Sequence, residues 1–394
     1  MYYRRFGRTN LQIPVFSCGG MRYQHAWKDV PPEDVPAANQ ENLEACIRRS
    51  VELGINHIET ARGYGSSEMQ LGKILPQFPR DEIIVQTKVA PNKDVNVFLE
   101  NFEKSMAYLK LDHVDLFSLH GINTDEILDW AITPGGCLDA AKKLQQQGRV
   151  KHIGFSTHGL TRTITKTIET DAFDYVNLHW YYVNDLNWSC VEAATKHDMG
   201  VFIISPNDKG GKLYEPSPKL VDLCEPLSPM AFNNLYCLSR PHIHTLSLGV
   251  ARPSDFDEHV NSLEHYERAA AAMRPIHHRL DAAIIATIGE DFYRNWMDGL
   301  PEWIDVPGHI NIQEIVRLWV YAKGLDLIAW GKMRYNLLGN AEHWFPGENA
   351  LKLSEFDLRP CLAKSPYADR ILEVLAEAHT MLYDKPVERL SKTD

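Results

Sequence analysis

Short apolar runs alternate with amphipathic segments through the first two thirds of the chain. Eight of these runs are predicted to be strands: 13–18, 55–59, 83–88, 114–120, 150–155, 175–178, 201–205 and 245–248. Strands that read as near-continuous apolar runs, with helices between them, are typical of a parallel sheet that is buried on both faces. The pattern therefore predicts an α/β protein.

The segments between the strands carry apolar residues at helical spacing, and helices are predicted over 41–53, 98–109, 138–147 and 188–197. Eight strands alternating with helices over roughly 250 residues match the number and length expected of a (β/α)8 TIM barrel. A doubly wound open sheet is the competing architecture, but it needs a phosphate loop such as GxGxxG after its first strand. Here Gly19-Gly20-Met21-Arg22 follows instead, so we predict the barrel.

Two features interrupt the alternation. A long segment over 209–240 is broken by prolines, with helical patterns at 220–223 and 231–238. We predict one barrel domain over 1–263 and a mostly helical C-terminal extension over 264–394 that packs on it. Its predicted helices run over 264–273, 280–288, 312–322 and 368–382. Residues 391–394 are expected to be disordered.

Composition narrows the class of protein. The 394 residues carry a net charge of −11, which argues against a nucleic-acid partner because phosphate neutralisation needs a basic face. The seven cysteines are odd in number and form no CxxC, so we expect neither disulfides nor a metal site, and a cytoplasmic location. The N-terminus lacks a secretory signal and no apolar run reaches ~18 residues, so no membrane span is expected.

Four polar residues lie at or just after predicted strand ends. Glu59 ends the second strand, Lys88 the third and His120 the fourth, while Tyr64 lies between two glycines in the loop after Glu59. The carboxyl ends of barrel strands share one rim, so the four side chains should meet. An ammonium from Lys88, held by Glu59, would lower the pKa of the phenol and make Tyr64 a general acid/base, with His120 on the substrate carbonyl. Ordinary loop and strand-end residues are the competing interpretation.

These residues stand in motifs that resemble the aldo-keto reductase family, over about residues 3–263. The motifs are Glu59-Thr60-Ala61-Arg62-Gly63-Tyr64-Gly65, then Ser67-Glu68, Gln86-Thr87-Lys88, the strand ending at His120, and Ile153-Gly154-Phe155-Ser156. The resemblance implies NADP(H)-dependent hydride transfer to an aldehyde or ketone, or from an alcohol, with Tyr64 as acid/base. The family carboxylate is normally Asp, so Glu59 is a departure of one methylene.

The resemblance also implies a set of cofactor-binding residues: Gly20, Met21, Ser156, Thr157, Asn177, Ser205, Pro206, Asn207, Lys209, Gly210, Gly211, Gly249, Arg252, Asp255, Glu258 and His259. Arg252 is the candidate clamp for the 2′-phosphate of NADP(H). Asp255 stands where many members carry Arg, so NAD(H) stays open. Thr157 and Asn177 replace the family's Asn and Gln beside the nicotinamide.

The substrate pocket is expected to use Trp27 and Trp180 together with Tyr64 and His120. His242 and His244 alternate on a predicted strand and would face one side, but packing is favoured over metal binding because no third ligand is evident. The departures and the large C-terminal region leave a second function open, a nucleotide-binding regulatory or interaction subunit. The physiological substrate and oligomeric state are not specified by the sequence.

Overall fold

The computed structural model describes residues 1–387, so the disorder predicted for 391–394 concerns positions outside the described residues. The strands are β1 Tyr3–Arg5, β2 Gln12–Pro14, β3 Phe16–Gly19, β4 His57–Glu59, β5 Ile84–Val89, β6 Val114–His120, β7 Val150–Ser156, β8 Tyr175–Leu178, β9 Gly200–Ile203 and β10 Thr245–Leu248. Strands β1 and β2 pair antiparallel, whereas β3 to β10 form a closed parallel barrel in chain order, with β10 beside β3. The predicted TIM barrel is confirmed.

Helices follow most of the barrel strands and also make up the C-terminal region. They are α1 Ala37–Glu52, α2 Ser67–Leu71, α3 Val95–Leu109, α4 Asp125–Ile132, α5 Cys137–Gln146, α6 Thr161–Glu169, α7 Trp188–Lys196, α8 Pro218–Cys224, α9 Pro229–Leu238, α10 Asp255–Ser262, α11 Ala269–Ile288, α12 Glu290–Asn295, α13 Ile312–Leu325, α14 Ile328–Tyr335 and α15 Ala368–Leu382. Side-chain caps fix several starts, as when the Asp94 carboxylate accepts from the Asn96 amide at α3.

The amino-terminal end of the barrel is filled by aromatic side chains. Phe6, from the hairpin of β1 and β2, packs against Tyr175 with ring centroids 5.5 Å apart. Any Cβ on Gly200, the first residue of β9, would lie 2.5 Å from the Phe6 ring, so glycine is needed for this approach. Because this end is closed, the carboxyl ends of the strands are left for a functional site.

The described chain divides into two compact units. The first holds the barrel, residues 1–206 and 234–267, and the second holds 207–233 together with the residues from Arg268 onward. The domain boundary predicted at 263 and 264 stays a prediction.

Within the second unit, α13 packs on α11, α14 and α15, and α8 packs on α11. Its two sequence segments are tied by hydrogen bonds. Arg279 Nε donates to the Leu223 carbonyl at 3.0 Å, and Ser217 Oγ donates to the Leu325 carbonyl at 3.0 Å. The segment 207–233 is therefore built into the helical unit.

Two predictions about local structure are wrong. Residues 269–273 and 280–288, predicted in two helices, belong to one helix, α11, with Pro275 inside it, while Leu263–Arg268 form a 3-10 helix. Proline there removes one hydrogen bond near the start of a long helix, which packing on α13 outweighs. His242 and His244 lie in the turn before β10 and not on a strand, and His244 Nδ1 accepts from the Val201 amide at 2.9 Å.

The cysteines are free thiols in the structure. Six of the seven free thiols are buried, and Cys361 is partly exposed. Within residues 1–387, no group of histidines, cysteines and carboxylates could hold a metal ion. Across the same residues, every helix is too short or too polar to cross a bilayer.

Candidate active site

The barrel brings the four predicted catalytic residues to one rim. Glu59 is the last residue of β4 and His120 the last of β6, while Lys88 lies one residue before the end of β5. Tyr64 stands in the loop after β4, where Gly65 takes a φ of +55° that favours glycine. Four residues that are up to 61 positions apart in the sequence therefore share one face, as the strand-end pattern predicted.

Lys88 lies at the centre of these contacts. Its Nζ forms an ion pair with the Glu59 carboxylate and donates to the Thr60 carbonyl at 2.8 Å. The same Nζ donates to Tyr64 Oη at 3.3 Å. The other oxygen of Glu59 accepts from Ser247 Oγ at 3.1 Å. Lys88 and Glu59 are buried, so the ammonium is held in one position beside the phenol.

The electrostatics of the pair differ in part from the sequence expectation. Burial works against the charge of Lys88, but attraction to Glu59 and Tyr64 and the hydrogen bonds to both raise its pKa above 10.5. Burial also raises the pKa of Tyr64 above 10.0, and the lowering effect of Lys88 does not overcome it. Lys88 therefore acts in the expected direction, while the net pKa of the phenol is raised and Tyr64 is protonated at neutral pH.

Two predicted substrate residues lie beside the phenol and one does not. The rings of His120 and Trp27 meet the Tyr64 ring edge-on, with centroids 5.7 and 6.1 Å away. Trp180 is 2% exposed and packs on Tyr236, with ring centroids 5.0 Å apart. The structure therefore groups Trp27 with the predicted catalytic residues and places Trp180 in an aromatic cluster.

The ends of β7 and β8 present amide and hydroxyl groups. Asn177 is fully buried, and its Nδ2 has no hydrogen-bond partner among the described residues. Ser156 Oγ accepts from the Gly121 amide at 3.1 Å and keeps its own proton available as a donor. Thr157 Oγ1 donates to the Ile122 carbonyl at 2.8 Å. A buried donor without a partner is costly, so the end of β8 fits a ligand that supplies an acceptor, such as a carboxamide oxygen.

Gly20 lies so close to neighbouring atoms that a side chain would not fit at this position. Any Cβ there would lie 2.7 Å from the Glu59 carbonyl and 2.9 Å from Ser67 Oγ. Met21 follows and is half-buried. Ser205 takes a φ of +53°, and Pro206 is the last residue of the barrel unit before the chain enters the second unit.

The remaining residues of the predicted pyrophosphate loop, Asn207, Lys209, Gly210 and Gly211, belong to the second unit. Burial, with the nearby Arg334 guanidinium, lowers the pKa of Lys209 well below its ordinary value. Trp330 Nε1 donates to the Lys209 carbonyl at 3.0 Å. The loop is thus anchored to the C-terminal helices of its own unit.

Sequence reasoning did not predict the ion pairs of two buried arginines in this unit. Arg317 Nε donates to the Glu314 carboxylate at 3.1 Å, and Arg334 Nη2 lies 3.7 Å from the same carboxylate. Arg334 also lies over the Phe345 ring, 3.8 Å from its centroid. The dense polar and aromatic sequence around Arg334 was the available signal, but it did not reveal the shared carboxylate.

The predicted adenosine-binding segment shows a local ion pair. Asp255 accepts from the Ala251 amide at 2.9 Å and from Arg252 Nε at 3.0 Å, while the Arg252 side chain is 74% exposed. Arg22 Nη1 donates to the Gly249 carbonyl at 3.1 Å. This second guanidinium was missed because it lies 227 residues away in sequence.

The last two residues of that segment differ in exposure. Glu258 is exposed. His259 is buried beside Phe16, with ring centroids 5.7 Å apart, and its Nδ1 lies 3.0 Å from Asn234 Nδ2. Burial lowers the pKa of His259 to about 4, so its ring is neutral at neutral pH. The structure thus places His259 among barrel side chains, and its predicted role at the adenine stays a prediction.

The chain is similar in sequence to known proteins. The Aldo/keto reductase family profile matches residues 16–210. L-galactose dehydrogenase of Arabidopsis thaliana is 30% identical over 302 residues, which cover 67% of this chain and 88% of that protein. The chain belongs to the aldo/keto reductase family. Members of this family generally use NAD(P)H to reduce carbonyl groups, and the chain is an oxidoreductase of the aldo-keto reductase type.

Other relatives overlap less. Methylglyoxal reductase DkgA of Salmonella typhimurium is 32% identical over 151 residues, or 36% of this chain and 51% of that protein, so the chain spans about half of it. The solved aldo-keto reductase AKR11C1 from Bacillus halodurans, in its holo form, superposes with a TM-score of 0.60 over 71% of this chain and 96% of its own, at 20% identity. That likeness supports the barrel fold.

Two residues that depart from the family pattern, Glu59 and Thr157, make side-chain contacts in the structure. The longer side chain of Glu59 reaches both Lys88 and Ser247. Thr157 is engaged in its own turn, where Oγ1 also accepts from the Gly159 amide at 3.0 Å. This aldo-keto reductase therefore keeps the carboxylate–lysine pair and uses a shorter residue at position 157 to shape the loop after β7.

Proposed function

We propose that this aldo-keto reductase transfers hydride between NADP(H) and a small carbonyl or alcohol substrate, with Tyr64 as the general acid/base. The observation that carries the proposal is the position of Lys88 Nζ, 3.3 Å from Tyr64 Oη and ion-paired with buried Glu59. This arrangement suits a phenol that must lose and regain a proton. Glu59, Lys88 and His120 are proposed as the other catalytic residues.

In the reducing direction, the substrate carbonyl oxygen would accept hydrogen bonds from Tyr64 and His120. The nicotinamide, when bound, supplies the hydride to the carbonyl carbon. Tyr64 gives its proton to the oxygen, and the Lys88 ammonium stabilises the phenolate that remains. Glu59 keeps Lys88 charged at its buried position. In the oxidising direction, the phenolate takes the proton from the alcohol.

The proposed cofactor is NADP(H), and the proposal uses residues for its nicotinamide end and for its 2′-phosphate. Asn177 Nδ2 and Ser156 Oγ are proposed to hold the nicotinamide carboxamide. Arg252 is proposed to bind the 2′-phosphate through its planar, charge-assisted hydrogen bonds. The ion pair between Arg252 and Asp255 competes with that role, so NAD(H) is the alternative cofactor.

The substrate is proposed to be a small aldehyde, ketone or alcohol. The matched relatives are named for both directions, as a dehydrogenase of L-galactose and a reductase of methylglyoxal. The proposal therefore covers both reduction and oxidation. The net charge of −11 supports the absence of a nucleic-acid partner, and the buried free thiols support a cytoplasmic location.

The test measures NADPH consumption with a panel of aldehydes and quinones, and NADP⁺ reduction with aldoses and simple alcohols. We expect turnover with at least one substrate and a loss of about a hundredfold or more in Tyr64→Phe, the range of general acid catalysis. If wild type and Tyr64→Phe are equally inert while nicotinamide fluorescence reports binding, the chain is a nucleotide-binding regulatory subunit and the catalytic proposal is wrong.

A further inference from the structure

Arg62 lies two residues before Tyr64 and is anchored from several sides. Its amide donates to the Lys88 carbonyl at 2.9 Å. Its guanidinium forms an ion pair with Glu68 and donates to the Gly65 carbonyl at 3.3 Å. The side chain is 10% exposed. This arginine therefore ties together the two turns that flank Tyr64.

The partner of Arg62 on the inner side is fixed. Glu68 is fully buried at the start of α2, and Thr87 Oγ1 donates to its carboxylate at 2.5 Å. The guanidinium also lies over the Tyr108 ring, 4.8 Å from its centroid. A buried charge pair with these additional contacts does not separate easily, so the Arg62 side chain is held in one position on the barrel.

On the outer side, Arg62 holds a different loop. Its Nη2 forms an ion pair with Asp29, which lies in the segment after β3. Lys104 of α3 reaches the second oxygen of Asp29 at 2.6 Å. The Asp29 side chain is 35% exposed and that of Lys104 is 46% exposed. Solvent and salt can therefore reach the outer part of the cluster and leave its inner part dry.

The loop that carries Asp29 also carries Trp27. Next to it, the Ser66 amide donates to the Ala26 carbonyl at 2.9 Å, and the Ala26 amide donates to Ser66 Oγ at 3.0 Å. Any Cβ on Gly65 would lie 2.0 Å from the Ala26 carbonyl oxygen, so the loop rests directly on the turn after Tyr64. Trp27 meets the Tyr64 ring edge-on as a result.

We propose that Arg62 is a positioning residue whose ion pair with Asp29, reinforced by Lys104, holds residues 24–29 closed beside Tyr64 and sets Trp27 as a wall of the substrate pocket. This proposal rests on the function proposed above, in that the pocket belongs to the carbonyl or alcohol substrate. It predicts a substrate affinity that weakens as salt screens the Asp29 contacts, and selectivity for substrates that contact Trp27.

The experiment compares the full-length wild type with Asp29→Asn, Lys104→Met and a control, Asp34→Asn, which removes the same charge from the same loop outside this cluster. Hydrogen–deuterium exchange of residues 20–36 is measured without substrate at 50 and 500 mM NaCl. Michaelis constants and turnover are then measured at both salt concentrations with an aldehyde that the wild type accepts. Arg62→Lys, which keeps a positive charge beside Glu68, is a further variant.

We expect Asp29→Asn to speed exchange of residues 20–36 and to raise KM about three- to fivefold with kcat nearly unchanged, the size typical of a partly exposed ion pair. Wild-type KM should rise with salt, that of Asp29→Asn should not, and Asp34→Asn should follow the wild type. Equal exchange and equal salt response in wild type and Asp29→Asn would overturn the proposal. If Tyr64→Phe retains full activity, the catalytic assignment fails, while the exchange result still decides whether Asp29 holds the loop.

Discussion

At the residue scale, Glu59 shows how one extra methylene is accommodated. The sequence predicted its ion pair with Lys88, because both end neighbouring strands. The hydrogen bond from Ser247 could not be predicted, because that residue lies 188 positions away and meets Glu59 only after the barrel closes. Glu59 is thus both the counter-charge of Lys88 and a link to β10, the strand next to β3.

This double role gives a prediction for Glu59. Glu59→Ala leaves the buried ammonium of Lys88 without its carboxylate, which should cost about 3–5 kcal/mol of unfolding free energy and abolish most turnover. Glu59→Asp restores the charge and should retain activity. Denaturant unfolding and steady-state kinetics on both variants measure the two effects. Full turnover of Glu59→Ala across pH would show that the ion pair has no part in catalysis.

The raised pKa of Tyr64 leads to a pH prediction. The reducing direction needs the protonated phenol, which persists below a pKa that burial places above 10.0. Reduction should therefore keep a constant kcat/KM through neutral pH and fall only on the alkaline side of 10.0, where oxidation should rise. Lys88→Met removes the charge that favours phenolate, so it should slow oxidation more than reduction. A fall in reduction near neutral pH would contradict the assignment of Tyr64 as the acid.

At the scale of elements, apolar runs located the barrel strands to within a few residues, because each is buried on both faces. The short helix α6 was missed because its sequence, TRTITKTIE, is rich in β-branched threonines that disfavour helices. Pro275 lies in the gap between the two helices predicted at 264–273 and 280–288, and α11 runs through it because packing on α13 outweighs one lost hydrogen bond. Local patterns therefore predicted elements wherever burial was uniform.

Helices α13 and α14 provide a prediction at this scale. Glu314 and Arg317 lie on α13 and Arg334 on α14, and the two arginine side chains are 3% and 7% exposed. Glu314→Gln removes the carboxylate that both guanidinium groups share and should lower the unfolding free energy by about 3–5 kcal/mol. Glu377→Gln is the control, because its pair with Lys323 is 42% and 35% exposed and should matter by about 1 kcal/mol or less. Calorimetry measures both, and equal stabilities would contradict a structural role for Glu314.

At the scale of the whole molecule, the count of strands predicted the barrel, and the residues at the strand ends predicted that Glu59, Tyr64, Lys88 and His120 share one rim. They did not predict that 207–233 pack with the C-terminal helices, because those contacts join segments about a hundred residues apart and leave no mark on local periodicity. The predicted cofactor loop is thereby divided in sequence between residues of the first unit, ending at Pro206, and residues of the second, beginning at Asn207.

A bound cofactor should stabilise the whole fold, which gives a prediction for cofactor choice. Stabilisation grows with the ratio of ligand concentration to dissociation constant and reaches about 2.7 kcal/mol at 100 times that constant, so melting temperatures measured at one shared concentration of NADPH and of NADH rank the two. We expect the larger rise with NADPH, a smaller one in Arg252→Ala, and a larger one in Asp255→Asn, which frees the Arg252 guanidinium. An identical response of wild type and Arg252→Ala to NADPH would reject Arg252 as the phosphate clamp.

The two-segment construction of the second unit has a consequence for synthesis on the ribosome. Residues 207–233 are synthesised before the helices that complete their unit. Ser217 and Leu223 therefore lack their hydrogen-bond partners, Leu325 and Arg279, until those residues have been made. At a translation rate of about 5–20 residues per second, this delay is on the order of 5–20 seconds for α13. During that time the apolar residues of the segment lack their partners, so a nascent chain arrested before α13 should recruit chaperones more strongly than one released at full length.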